Sequence, residues 1–404
     1  MATQTPTTTR SVNPPESAGS GIRVRIAVGF TLIAVVASLV GLVASGGSYE
    51  PAPNGLPDSG PFVGWLLPVL GAIGFGAAMA CIGWLLLAGF LDPSAGKKVV
   101  SKRGRAAMLR ASGAAAIWCV ISLIASVFTL ANILGVDLAT AAAPGTFTTY
   151  AWDVSDVRTL LISAVLAAAV AIGAVLSVSL TGTTIWLALA LVAVAAPSTA
   201  GHAVGLGDHG LALVNSVAHA VAATLWVGGL IALGATVWPK AQTVGVAAQR
   251  FGYLAIASVV ILTASGVVNA YVRLGAPADL FTSGYGRLVV AKTLLLIALI
   301  ATAAWIRRRL LPNLDGEQPR RTFAKVAALE LTLMSIATGL GVALSLTAPT
   351  RVAVQFATQA EALLGFEFPA APTVMSVVFG WDLDVLFFVM GLAACVYYTL
   401  GVMR

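Results

Sequence analysis

Charged side chains are scarce in this chain of 404 residues. They make up 10% of the sequence, whereas hydrophobic residues make up 58%, and the mean hydropathy is +0.93. Soluble globular domains carry roughly 25% charged residues. The composition therefore excludes an ordinary soluble domain and predicts a multi-pass membrane protein, most of which lies within the lipid bilayer.

Several chemical signatures are missing as well. The three cysteines, Cys81, Cys119 and Cys395, each sit in an apolar run, and no two share a C-x-x-C spacing. This pattern argues against a thiolate metal-binding domain and favours small residues of a helix core. The sequence also has no Walker A loop and no H-E-x-x-H motif. ATP-driven pumping and hydrolytic chemistry are therefore unsupported, and we expect that the protein is not an enzyme.

Apolar runs of about 20 residues, enough for one helical crossing of a bilayer, recur along the chain. They predict an all-α polytopic membrane bundle of about ten transmembrane helices. The short segment T-G-T-T (181–184) between the fourth and fifth runs predicts a tight helical hairpin. The ten runs cover 26–46, 64–91, 111–135, 159–180, 184–200, 211–236, 251–273, 287–306, 325–347 and 377–400.

Lysine and arginine are unevenly distributed over this series of helices. If the N-terminus is cytoplasmic, most of the 23 basic residues fall in inner segments, which predicts an N-in and C-in orientation. The net charge of +7 then serves orientation, so we expect membrane lipid and no nucleic acid as a partner. The basic residues on the outer side are Arg158, Arg273, Arg287, Lys292 and Arg351.

Acidic residues concentrate on the predicted outer face. Solvated loops are one explanation, and a face that concentrates cations by electrostatic focusing is the functional alternative. These residues are Glu50, Asp58, Asp137, Asp153, Asp156, Asp208, Asp279, Glu361, Glu367, Asp382 and Asp384.

All three histidines of the chain lie between residues 201 and 219. His202 ends the fifth predicted helix, His209 lies in the following loop beside Asp208, and His219 lies within the sixth helix. A histidine in a membrane helix is costly and normally faces the bundle interior, where it finds a partner. Neutral imidazole suits copper and zinc. The three are therefore candidate metal ligands, with helix–helix hydrogen bonding as the alternative.

Three further polar side chains fall inside predicted membrane helices. Asn269 lies near the outer end of the seventh helix, and Lys292 lies about one and a half turns into the eighth. An outward extension of the Lys292 side chain to the membrane surface is one interpretation, and a role inside the bundle is the alternative. Glu330 lies near the inner end of the ninth helix, at a different depth from Lys292. We interpret Glu330 as a proton relay or a partner of the inner arginines.

Three stretches resemble the CopD copper-resistance family. Residues 201–233 contain a G-H-A turn, a helical histidine and the segment W-V-G-G-L. Residues 250–275 are similar to that family's next helix, with Ser265-Gly266 where the family has Thr-Gly. Residues 284–312 contain Y-G-R-x-x-x-x-K and a basic exit. The resemblance covers about 200–347.

This resemblance implies copper handling at the plasma membrane. Transferred to this sequence, it implies that His202 and His219, with His209 as a further candidate, bind a copper ion near the outer face. It implies no role for Asn269 or Lys292, although both match positions of the family's motifs.

The last forty residues resemble a second family. Residues 365–404 are similar to the opening of the CtaG cytochrome c oxidase assembly family, through P-A-A-P-T and the tryptophan–acid helix start at Trp381 to Asp384. The chain thus resembles the front part of a CopD–CtaG fusion. That likeness implies a periplasmic or extracellular copper chaperone and cytochrome c oxidase as partners.

These observations predict four regions and one function. The regions are a disordered cytoplasmic tail (1–22), five N-terminal membrane helices (23–200), a CopD-like membrane domain (201–350), and an outer loop with the first helix of a CtaG-like domain (351–404). The protein is expected to pass copper across the membrane or to oxidase assembly. A non-transporting assembly scaffold and a b-type haem protein with two histidine ligands are the alternatives.

Overall fold

The computed structural model describes residues 17–51, 57–92, 98–200, 209–237, 244–310 and 317–350, together with Gly391 and Tyr398. Its regular structure in these ranges is helical, apart from a single bridge between Val99 and Ser179. The α-helices are α1 (Ser17–Ser45), α2 (Pro61–Leu86), α3 (Lys102–Leu134), α4 (Leu138–Ala142), α5 (Pro144–Tyr150), α6 (Ser155–Leu176), α7 (Leu180–Ala195), α8 (His209–Val237), α9 (Val244–Arg273), α10 (Asp279–Thr282), α11 (Gly284–Trp305) and α12 (Glu317–Leu346).

Nine helices in the described ranges are long and apolar enough to cross a membrane. They confirm the first nine predicted spans and the all-α membrane bundle. The predicted tenth span, 377–400, lies outside the described ranges except for Gly391 and Tyr398, both helical. The spans are Ala27–Ser45, Pro61–Leu91, Lys102–Leu134, Ser155–Leu176, Leu180–Thr199, Ala212–Gly234, Val246–Arg273, Gly284–Trp305 and Lys325–Leu346.

The predicted N-terminal tail is shorter in the structure than the sequence indicated. Helix α1 begins at Ser17, before the predicted end of the tail at residue 22, because the last prolines of the tail are Pro14 and Pro15. Residues 1–16 lie outside the described ranges, as does nearly all of the predicted region 351–404.

The tight hairpin between the fourth and fifth spans is confirmed, because α6 and α7 pack on each other after a three-residue connection, but the connecting residues differ from those predicted. T-G-T-T belongs to the first turns of α7, and the connection is residues 177–179. The reason is the Ser179 side chain, which accepts a hydrogen bond from the Gly182 amide and caps the helix before T-G-T-T begins. The connection is held by backbone bonds to residues 98–100, including one from the Val100 amide to the Val178 carbonyl.

Helix α2 lies at the centre of the bundle and contacts α1, α3, α7, α8 and α12. Its side chains at Ile82, Leu85 and Leu86 are fully buried in a core shared with α3, α6, α7 and α8. Helices from the predicted regions 23–200 and 201–350 therefore pack directly on one another, because α2 contacts α8 and α1 contacts α12.

The contact between α2 and α8 depends on two glycines that face each other. A Cβ atom on Gly83 would lie 2.2 Å from the Gly228 carbonyl oxygen, and one on Gly228 would lie 2.6 Å from the Met79 carbonyl oxygen. Membrane helices approach this closely where small residues meet, because lipid supplies no hydrophobic drive for their association. The W-V-G-G-L segment thus joins the two halves of the bundle.

We predict that Gly228→Ala destabilises the protein. The added methyl group must displace backbone, so the free energy of unfolding should fall by about 1–3 kcal/mol. Thermal unfolding of the purified protein in detergent measures the loss. Gly113→Ala is the matched control because nothing lies within 4 Å of its added Cβ. Equal unfolding temperatures for the two variants would contradict the glycine contact.

Candidate metal site

His219 lies on α8 and faces α9. Its Nδ1 atom is 3.0 Å from the hydroxyl oxygen of Ser265, whose side chain is only 3% exposed. The Ser265 hydroxyl donates to the Leu262 carbonyl at 3.3 Å. Because a hydroxyl has one proton, both bonds form together only in the tautomer whose Nδ1 carries the proton. The Nε2 atom of the neutral ring then keeps the lone pair that a metal ion requires.

A second set of polar contacts lies next to His219 towards the end of the bundle that the sequence assigns to the outer face. Arg273 donates to the Asn269 side-chain oxygen at 2.6 Å and to the Ser216 hydroxyl at 3.2 Å. Ser216 in turn donates to the Ala212 carbonyl at 2.8 Å. These bonds connect α8 to α9 and satisfy polar groups that the bilayer cannot hydrate.

Helix α11 brings two further groups to this region. Tyr285 is 4% exposed, and its side chain lies near Arg273. Lys292 extends towards α12, where a Cβ atom on Gly341 would lie 3.2 Å from its amine. The structure thus favours the alternative in which Lys292 lies inside the bundle, because Gly341 leaves room for the amine between the helices.

We call His219, Arg273 and Lys292 the basic cluster. His219 lies within electrostatic range of both cations, and Lys292 within range of Arg273. Among the described residues, no carboxylate pairs with Arg273 or Lys292. The described cations near His219 are therefore positively charged groups next to the residue that the sequence predicts as a metal ligand.

The sequence contained a signal for this network that our prediction missed. Ser265, Asn269 and Arg273 are spaced four residues apart, which places them on one face of a helix. Ser216 and His219 are spaced three apart on the facing helix. The pattern shows two polar faces, but only the packing of α8 on α9 shows that they meet.

The three predicted metal ligands have different outcomes in the structure. His202 lies outside the described residues. His209 is the first residue of α8 rather than a loop residue, and its side chain is not described. Ten residues of helix separate it from His219, which is about 15 Å along the axis. No group of three or more His, Cys, Asp or Glu side chains able to hold a metal occurs in the part of the chain that the structure describes.

Asp279 is one of the described acidic residues on the predicted outer face. The Thr350 hydroxyl and the Ala276 amide, 3.0 Å from one carboxylate oxygen, donate to it. These bonds hold the pKa of Asp279 below its ordinary value, because they stabilise the charged form. The carboxylate is therefore ionised at neutral pH beside the outer ends of α9 and α12.

Glu330 lies far from the basic cluster. It is 6% exposed on α12, eleven residues before Gly341, a separation of about 16 Å along the helix. Since the Lys292 amine lies beside Gly341, this spacing agrees with the different depths that the sequence predicts for Lys292 and Glu330. The proposed relay role of Glu330 stays a prediction.

We predict that Ser265→Ala destabilises the bundle. The change leaves Nδ1 of His219 without its partner, and a buried unsatisfied group costs about 1–3 kcal/mol. Thermal unfolding in detergent measures this loss, and Ser265→Thr should retain most of the stability because it keeps the hydroxyl. Thr263→Ala removes an exposed hydroxyl from the same helix and serves as the control. If Ser265→Ala unfolds at the temperature of that control, the hydrogen bond has no structural role.

Comparison with known proteins gives one family match. Residues 245–344 match the family model described as copper resistance protein D. Comparisons with curated proteins and with solved structures found no match. The matched region spans α9, α11 and most of α12 and contains Ser265, Arg273 and Lys292, whereas His219 precedes it. The match supports the resemblance to the CopD family. It ends before residues 365–404, so the likeness of those residues to CtaG stays a prediction. Residues 245–344 thus carry a domain similar to copper resistance protein D, within a multi-pass membrane protein.

Proposed function

We propose that this protein binds copper ions near the outer face of the plasma membrane and passes them inward. The family match supports a copper-related membrane function. The observation that carries the assignment to a residue is the bond from His219 Nδ1 to Ser265. It orients the ring, and in the tautomer protonated at Nδ1 it leaves Nε2 available, which is how hydrogen-bonded partners orient histidine ligands of metals.

His202 is the second ligand that we propose. It follows α7 in the chain, and α7 and α8 are in contact, so the segment after α7 begins beside the helix that carries His219. His209 and His219 stand about 15 Å apart along one helix, too far to share an ion readily. We therefore propose His202 with His219 as the principal pair and His209 as a separate binding group nearer the surface.

The route begins at the acidic outer face. Ionised carboxylates such as Asp279 raise the local concentration of cations, and the histidines then select copper by ligand chemistry. We propose that the ion continues across the membrane or to cytochrome c oxidase assembly, with a periplasmic or extracellular copper chaperone as donor. Moving an ion requires no covalent chemistry, so we propose no enzymatic activity.

We predict that copper binding depends on His219 and His202. The purified full chain, loaded with copper and freed of excess metal, should retain copper in elemental analysis. His219→Ala and His202→Ala should each lose most of it, because one remaining imidazole holds a copper ion weakly. His209→Ala is the matched control and should keep the principal site. Wild-type copper content in both of the first two variants would remove the proposed site.

A further inference from the structure

One arginine of α3 lies on the exposed side of the bundle and rests on an aromatic ring of α2. The Arg110 guanidinium carbon is 4.8 Å from the centre of the Trp84 ring. The Arg110 side chain is exposed, whereas Trp84 is partly buried. A guanidinium over an aromatic face gains electrostatic energy, so the ring holds the cation in place at the surface of the bundle.

The depth of Arg110 matches that of lipid headgroups. Helix α3 has 33 residues, about 50 Å, which exceeds a hydrocarbon core of about 30 Å. Arg110 lies about 12 Å from the start of this helix and directly precedes the apolar run 111–135. Helical side chains point towards the N-terminus, so the guanidinium extends towards the end of the bundle that the sequence assigns to the inner face. Tryptophan, here Trp84, is itself typical of this depth.

Beyond Arg110, the same side of α3 is apolar and exposed. Ile117, Val120 and Ile124 are 55%, 55% and 40% exposed and follow at helical spacing. Gly113 lies between Arg110 and Ile117, and an added Cβ there would have nothing within 4 Å. This glycine leaves a gap next to the arginine. An acyl chain that enters the gap gains van der Waals contact with the helix.

The chain around Arg110 is basic. Residues 98–110 contain no acidic residue and five basic ones, which are Lys98, Lys102, Arg103, Arg105 and Arg110. Arg103 lies two turns before Arg110 on the same side of α3. Basic clusters next to a membrane helix attract anionic lipids, by about 1 kcal/mol for each cation near the surface. The charge therefore favours an anionic headgroup over a neutral one.

We propose that Arg110 and Trp84 form a binding site for an anionic phospholipid in the leaflet at the inner end of the bundle. The Arg110 guanidinium donates hydrogen bonds to the lipid phosphate, and Trp84 keeps the guanidinium in place. One acyl chain lies over Gly113 and along Ile117. Arginine suits this role because its planar fork of N–H groups matches two phosphate oxygens at once. The inference does not rest on the proposed copper function.

Native mass spectrometry of the full chain in detergent tests the proposal. The probe is an equimolar mixture of phosphatidylglycerol and phosphatidylcholine with the same acyl chains, and the wild type should retain phosphatidylglycerol in preference. Arg110→Gln should lower the retained phosphatidylglycerol about fivefold, because one cation near the headgroup is lost. Gly113→Leu should lower it too, with the arginine intact, because the new side chain occupies the gap.

The matched control is Arg308→Gln, which removes an exposed arginine just after α11 and changes the net charge equally. It should leave the retained phosphatidylglycerol unchanged, and thermal unfolding verifies that each variant folds. Equal retention of the two lipids by the wild type would overturn the proposal. So would wild-type retention in a folded Arg110→Gln variant, or an equal loss in Arg308→Gln, since the lipid would then respond to net charge alone. Copper content is measured separately, so failure here leaves the copper proposal unaffected.

Discussion

A polar side chain inside a membrane bundle needs a partner in the protein, and the bond between His219 and Ser265 supplies it for the one histidine that the structure describes in full. The bond connects α8 to α9 and orients the imidazole ring. The neighbouring contacts of Arg273 to Asn269 and Ser216 extend the same connection towards the outer face. The proposed copper chemistry depends on this arrangement, because only an oriented neutral ring presents Nε2 reliably.

The polar contacts are held in register by close backbone packing elsewhere. Gly83 and Gly228 bring α2 against α8, and a Cβ atom on Gly339 would lie 2.2 Å from the Ala34 carbonyl oxygen where α12 meets α1. Small residues of this kind allow van der Waals contact along the helices, which is the main attraction between them in lipid. The N-terminal helices therefore support the CopD-like region rather than forming a separate unit.

Composition and run length predicted the fold well, because each membrane crossing demands about 20 apolar residues whatever its neighbours are. Helix ends were less predictable: T-G-T-T looked like a turn, but Ser179 capped α7 before it. The site was predicted only in part. His219 stood out as a costly residue, whereas its partner Ser265 is common in membrane helices and gains meaning only from the packing of α9. The direction of the Lys292 side chain could not be predicted, because it depends on the space beside Gly341, which lies forty-nine residues later in the sequence.

Two cations, Arg273 and Lys292, lie near His219 and affect the binding of any copper ion there. A copper ion bound by His219 would lie near Arg273 and Lys292, whose positive charges oppose its binding. We propose that His219 binds the metal. Copper K-edge X-ray absorption of the loaded full chain tests it most directly. We predict imidazole scattering that weakens in His219→Ala. An identical spectrum in the wild type and that variant would contradict metal binding by His219.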